Sequence, residues 1–416
     1  MFVVKKLLIL LSLVSPTFMV SCLNREAGDS LSIPYVRDIL SDTTSVLYRK
    51  IGDGCPDRKN GTIAIAGPEK EVLTIAGELM SCDYFDNVDG RMQPDGLPDF
   101  AGETLALLCD DANEPYHGYL ENGNEGYLKE LTVRNFLSAI DTTCALNPFD
   151  RKTSVHKSGS KIVILASSYS SAFGYSDIIR LLDSAKPDVA VISPVHSMFR
   201  YAIRRHTEKG TFAVWTTREI LGAGVYSTVW SELVKDYPSL VYDAFCPSGA
   251  GSLRDRIIAF LRMYKAAGHD DALDAAIVDD KPVRADELNS ALKSMIDSQD
   301  DSLAAYRNLI SDKFEFIDAE HAVVSDCIAF LREKNLFTHQ VAYPSMTAYS
   351  TVPVSGMAAQ DYNADCSFTD KFKYNRAENS DFATFILMEK SITQEGKNQH
   401  VAGIAVQKTL DGYVSK

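Results

Sequence analysis

Tryptophan is scarce in this chain of 416 residues, with only 2, and no block of clustered lysine and arginine occurs in it. Acidic residues outnumber basic ones, 56 to 42, for a net charge of −14. Phosphate-backbone affinity needs clustered cations, so nucleic-acid binding is excluded. There is no CxxC and no histidine pair at ligand spacing, which argues against a zinc site. The GxGxxG, Walker and HExxH patterns are missing too, so neither a nucleotide cofactor nor metalloprotease chemistry is expected. No repeat and no low-complexity tract interrupts the chain. Apart from the N-terminus, no apolar run is long enough to span a bilayer. What remains is an ordinary globular composition, 45% hydrophobic and 24% charged, in a length that suits two or three domains.

The N-terminus reads as an address. Lys5 and Lys6 precede an apolar stretch that ends in Met19-Val20-Ser21-Cys22. A short positive region, an apolar core and a small residue before the cut describe a secretory signal. The last four residues resemble the lipobox of bacterial lipoproteins, in which the cysteine is lipidated. Residues 1–21 are then the signal peptide, Cys22 carries acyl chains such as palmitate, and residues 22–34 form a polar tether. Several chains on one cysteine give stable anchoring. The expected location is the bacterial cell envelope, at the outer membrane, with the folded body periplasmic or surface-exposed. A plain signal peptide is the alternative. An exported chain can form disulfides, with Cys55, Cys82, Cys109 and Cys144 the closest-spaced candidates.

Beyond the tether the pattern is α/β. Residues 35–150 are expected to form a first lobe, starting with a helix from Tyr35 to about Arg49. It includes an irregular loop at 83–104 rich in Asp, Gly and Pro, which reads as a surface loop, a cation loop or a contact for an envelope partner. A polar linker is expected at 150–160. Residues 151–336 alternate short apolar runs with helical periodicity, the signature of a parallel sheet covered on both faces. A long helical region is expected at 284–335, and 337–416 read as a mixed, β-rich C-terminal region. The fold class is therefore a two-lobed α/β protein with doubly wound parallel sheets and a β-rich C-terminal extension.

In such folds, ligands bind beyond the carboxyl ends of the strands. The residues there are Gly67, Ser167 and Ser168, Ser193 with His196, Thr216 and Thr217 with Arg218, Cys246 with Ser248, and Asp279 beside Asp280. Small hydroxyl residues and glycine leave room for a ligand, although strand-to-helix turns favour them as N-caps in any case. His196 is a candidate base, and Cys246 a candidate nucleophile. A small polar, anionic molecule is the expected ligand. An isomerase, lyase or hydrolase acting on a carboxylated substrate is the alternative.

The order of these strand ends resembles the aspartate/glutamate racemase family. Ala166-Ser167-Ser168-Tyr169-Ser170-Ser171-Ala172 is similar to its A-C-N-T-A-S-A motif, and Val191-Ile192-Ser193-Pro194 to its V-I-x-P. Phe212 to Thr217, followed by Val225-Tyr226, resembles its strand, threonine turn and S-x-x-Y helix. Cys246-Pro247 matches a Cys-Pro step of the family. Tyr84-Phe85-Asp86 with Gly90-Arg91-x-x-Pro94 resembles its Y-F-G-D-T-A-R-x-P-Y-G turn. The resemblance covers about residues 60–280, with long insertions between 92 and 160, and implies two α/β lobes facing across a cleft. The family's two catalytic thiols would fall at Ser167 and near Val278-Asp279-Asp280, where no cysteine stands. The resemblance therefore implies the fold and not the two-thiol reaction.

Overall fold

A computed structural model describes residues 32–390, apart from 88–90, 92, 207–209, 236, 238, 239, 248, 249, 282, 339, 341 and 381–383. Cys22, the signal and most of the tether lie outside the described residues, as does Ser248. Twelve strands occur among those described: β1 (Thr62–Gly67), β2 (Thr104–Cys109), β3 (Thr143–Asn147), β4 (Asp150–His156), β5 (Ser160–Leu165), β6 (Ala190–Ile192), β7 (Thr211–Thr216), β8 (Val241–Phe245), β9 (Leu273–Asp279), β10 (Ile310–Asp318), β11 (Ser345–Pro353) and β12 (Phe385–Lys390). They build two sheets, one of eight strands in the order β4-β3-β12-β11-β2-β1-β5-β6 and one of four in the order β10-β9-β7-β8. Both belong to one compact unit that begins at Ile33.

The inner strands are apolar on both faces because helices cover both. Ile63 and Ile65 of β1 pack with Val72, Ile75 and Leu79 of the helix Glu69–Ser81. Ala64 and Ala66, pointing the other way, pack with Val133, Phe136 and Ala139 of the helix Glu125–Ile140. The second sheet repeats this alternation. Phe212 and Val214 of β7 meet Val195, Phe199 and Tyr226 on one face. Ala213 and Trp215 meet Ile257, Phe260 and Leu288 on the other. These are the doubly wound parallel sheets expected from continuous apolar runs.

Each sheet has a switch point. β1 and β5 are adjacent and parallel. The helix after β1 covers one face, whereas the helix Tyr175–Ala185 after β5 covers the opposite one. β7 and β9 are likewise adjacent and parallel. The helix Val225–Leu233 after β7 and the helix Ala285–Asp297 after β9 lie on opposite faces. Crevices open where successive connections diverge in this way.

Several local expectations need correction. The helix expected from Tyr35 to about Arg49 is two helices, Pro34–Ser41 and Val46–Asp53. Between them Asp42 accepts from the Thr44 amide, and Ser45 caps Tyr48, so short polar side chains satisfy the backbone in place of the helix. Residues 150–156, expected as linker, form β4 on the sheet edge, antiparallel to β3. An edge strand with an exposed face needs no apolar run. The helical region 284–335 contains β10, parallel to β9.

The sheets also do not divide at residue 151. β5 and β6 belong to the first sheet, and β11 and β12 enter the same sheet between β2 and β3. Cys55, Cys82, Cys109 and Cys144 form no disulfide among the described residues.

Candidate functional site

The site grows from the two switch points. At the end of β1, Gly67 has φ +151°, and a Cβ there would stand 3.3 Å from Cβ of Ala166 and 3.5 Å from the amide nitrogen of Ser167. The missing side chain lets the ends of β1 and β5 lie side by side. Ser167 is the N-cap of the short helix Ser168–Ala172 and is buried. In the second sheet, β7 and β9 pair through Thr216 and Asp279. Thr216 donates its hydroxyl to the Asp279 carbonyl at 3.2 Å, and Thr217 caps the following turn through Ile220.

The two switch points meet at Asp279. Its carboxyl accepts from the hydroxyl of Tyr226 at 2.9 Å, and Ser168 of the first lobe lies near enough to favour its charged form. Burial raises the Asp279 carboxyl above the usual carboxylate range, a shift opposed by those two side chains and by nearby Lys281. The Tyr226 phenol is raised by burial and by Asp279. Asp280 has a different role. It accepts from Trp215 Nε1 at 2.9 Å and from Arg256 at 2.5 Å, which ties β9 to the helix Leu253–Ala266 behind the sheet. Of this adjacent acidic pair, Asp279 meets the other lobe.

Three further charged groups complete the cluster. Glu71, in the first turn of the helix after β1, is raised by burial and opposed chiefly by Lys281. Glu320, in the first turn after β10, shows the same two influences and stands 3.7 Å from Lys281. Burial also raises the Tyr169 phenol, with Asp279, Glu219 and Glu71 adding to the shift. Three carboxyls thus share one ammonium, and low polarity favours their neutral forms.

The other predicted residues are placed differently. Ser193 Oγ lies 2.7 Å from His196 Nδ1, and His196 Nε2 lies 3.4 Å from Glu232. The imidazole stacks on Tyr175 at 4.1 Å. Burial lowers its pKa, which favours the neutral ring. That network engages both ring nitrogens. Arg218 is exposed, and Cys246 is half-buried after the outer strand β8. In the loop 83–104, carboxylates serve the loop itself: Asp99 accepts from the amides of Tyr84 and Phe85, and Asp83 from those of Asp95 and Gly96. Among the described residues, no group of three or more His, Cys, Asp or Glu is placed to hold a metal ion, and no helix is long and apolar enough to cross a membrane.

Sequence reasoning missed Glu71, Lys281 and Glu320 as site residues. All three lie one to four residues past a strand end, so extending each strand-end segment by one helical turn finds them.

No family profile and no curated protein matches the sequence. Solved structures do. A glutamate racemase from Bacillus anthracis is 16% identical, over 70% of this chain and 89% of its own, with a TM-score of 0.41. A glutamate racemase from Francisella tularensis, solved in complex with D-glutamate, is 15% identical over 70% and 88%, with a TM-score of 0.40. An aspartate racemase from Picrophilus torridus is 12% identical over 66% and 94%, with a TM-score of 0.32. Each is a likeness at low identity.

Proposed function

We propose that this chain is an envelope lipoprotein, acylated at Cys22, whose interlobe crevice binds a small polar ligand. The observation that carries the binding reading is the meeting of two switch points at one buried carboxyl, where Ser168 and Tyr226 reach Asp279 from different elements. Glu71, Asp279 and Glu320 offer carboxyls that an incoming ammonium group would draw into the charged form, while Lys281 suits an acidic group. The ligand class that fits is a small zwitterion of the amino-acid type rather than a bare anion.

A thermal-shift screen of residues 23–416 against amino acids, dicarboxylates and sugars tests this. A ligand at a hundred times its Kd stabilises the folded chain by about 2.7 kcal/mol. Asp279→Asn and Ser168→Trp should abolish that shift. A shift that survives both places the ligand elsewhere and defeats the reading. Incorporation of labelled palmitate into the full chain, lost in Cys22→Ser, tests the anchor.

A second reading is an isomerase, lyase or hydrolase on a carboxylated substrate. Asp279 favours it, because a buried carboxyl raised above the usual carboxylate range and hydrogen-bonded by Tyr226 is suited to carry a proton. Exchange of solvent deuterium onto the bound ligand, lost in Asp279→Asn, would establish turnover. Stoichiometric binding without exchange supports binding alone.

A further inference from the structure

A cavity of about 760 Å³ lies outside the interlobe site, between the helices Pro34–Ser41 and Glu125–Ile140 and residues of 360–380 with Thr384 and Phe385. That volume falls within the range of small-molecule sites. Its aromatic walls are Tyr35, Tyr127, Phe372 and Phe385. Arg376 stands among them, 4.3 Å from the centre of the Tyr127 ring and itself buried.

The cavity's charges are not equally satisfied. Arg134 is paired with Glu130 at 2.6 Å, and Lys50 with Asp141 at 2.5 Å. Arg376 donates to the Lys373 carbonyl, to Thr384 Oγ1, to Asn113 Oδ1 and to the Tyr119 hydroxyl. Those bonds engage four of the five N–H groups of a guanidinium, and none of the partners is a carboxylate. A buried cation without an anionic partner carries a desolvation cost that an incoming anion relieves. Lys371 adds a fourth cation to the lining, against the three carboxylates of Glu130, Asp141 and Asp361. The net charge of the walls is positive in a protein that is acidic as a whole.

We propose that this cavity is a second binding site, for an organic monoanion whose apolar body lies against the aromatic walls and whose carboxylate meets Arg376. The site is independent of the interlobe crevice, and its ligand differs in class from the zwitterion proposed there.

The test is isothermal titration of residues 23–416 with 4-phenylbutyrate, octanoate and, as the neutral counterpart, 4-phenylbutyramide, at millimolar concentration. The carboxylates should bind, and the amide should bind about tenfold more weakly or worse, since a charge-assisted hydrogen bond is lost. Arg376→Gln should narrow that ratio. Because Arg376 also supports the fold, Ser138→Trp serves as the second variant. Ser138 is half-buried at the cavity wall, so an indole there should fill the cavity and abolish binding with little change in melting temperature. Asp279→Asn should leave phenylbutyrate binding unchanged. Equal affinity for acid and amide, binding that survives Ser138→Trp, or no heat from either carboxylate would each overturn the proposal.

Discussion

Glu114 gives the most quantitative test of how burial shapes the acidic end of the first sheet. It follows β2, and burial moves its carboxyl from an ordinary value of 4.5 to about 7. The nearby carboxylates of Asp111, Asp110 and Glu69 push in the same direction, while the Glu69 amide, donating to Glu114 Oε2 at 3.1 Å, opposes them. A carboxyl whose pKa is higher folded than unfolded binds more protons in the folded state between the two values. Stability therefore falls as pH rises through that window, from about 4.5 to about 7. At about 1.4 kcal/mol per pH unit, the interval from 4.5 to about 7 corresponds to about 3.5 kcal/mol, and the partial exposure of the side chain lowers the expected effect to about 3 kcal/mol at most. Glu114→Gln keeps the shape and still accepts from the Glu69 amide, but it cannot ionise. Urea unfolding at pH 4.5 and pH 8 should show the two proteins nearly equal at the lower pH and the variant more stable, by up to about 3 kcal/mol, at the higher. Parallel pH dependences of the two proteins would refute the assignment of this shift to Glu114.

Lys161 and Glu103 form an ion pair at 2.7 Å with both side chains essentially inaccessible, and Lys161 also donates to the carbonyls of Lys59 and Leu336. Lys161→Met should cost about 3–5 kcal/mol by urea unfolding, and adding Glu103→Leu should restore much of it, because the stranded carboxylate is the main penalty. Gly174 has φ +107°, and a Cβ there would stand 2.6 Å from Cβ of Thr132. Gly174→Ala should lower stability by about 2 kcal/mol or more, through backbone strain and overpacking together. Lys157 is buried, donates to the Ala139 carbonyl at 2.8 Å, and is lowered by burial to about 8 from 10.5. It binds fewer protons folded than unfolded across that range. Wild-type stability measured by urea unfolding should therefore rise between about pH 8 and 10.5 relative to Lys157→Met.

The runs that announced a sheet were those buried on both faces. Ile63–Ala66, Ile162–Ala166 and Ala275–Val278 are continuous apolar segments, visible without partners. The hairpin of β3 and β4 was illegible for the opposite reason. As an edge element it carries residues such as Thr153 and Ser154 that satisfy a strand without marking one. β10 was hidden inside a charged stretch because Ile310–Asp318 alternates around Lys313 and Glu315, and only Ile310 and its last three residues are buried. Pairing order was less legible still. Nothing local in Ser345–Pro353 says that it lies beside β2, a partner more than two hundred residues away. The strand-end rule names Gly67, Ser168, Thr216 and Asp279, which lie at the two switch points, because it depends on topology rather than on contacts. It also selected His196 and Cys246, which follow the outer strands β6 and β8, and Arg218, which follows β7 but is exposed.

The distribution of thiols limits which chemistry the crevice can host. Proton abstraction by sulfur needs a thiolate at the switch point. Ser167 stands at one switch point and Asp279 at the other. Cys109 ends β2, in register with Gly67. Its thiol is raised far above the ordinary range by burial, an effect that Asp111, Glu69 and Glu114 reinforce and Lys390 opposes. Cys246 follows β8, the outer strand of the second sheet, separated from β9 by β7. A serine hydroxyl is too weak an acid to stand in for a thiol unless a strong base adjoins it. A titratable group that faces it from the other lobe is Asp279, whose carboxyl burial raises above the usual carboxylate range. If the crevice turns over a substrate, the proton therefore moves through the Asp279 carboxyl and its Tyr226 and Ser168 partners, and the rate should follow the ionisation of a carboxyl rather than that of a thiol. Insensitivity to thiol alkylation together with loss of exchange in Asp279→Asn is the expected pair of results. Inactivation by alkylation with Asp279→Asn still active would overturn it.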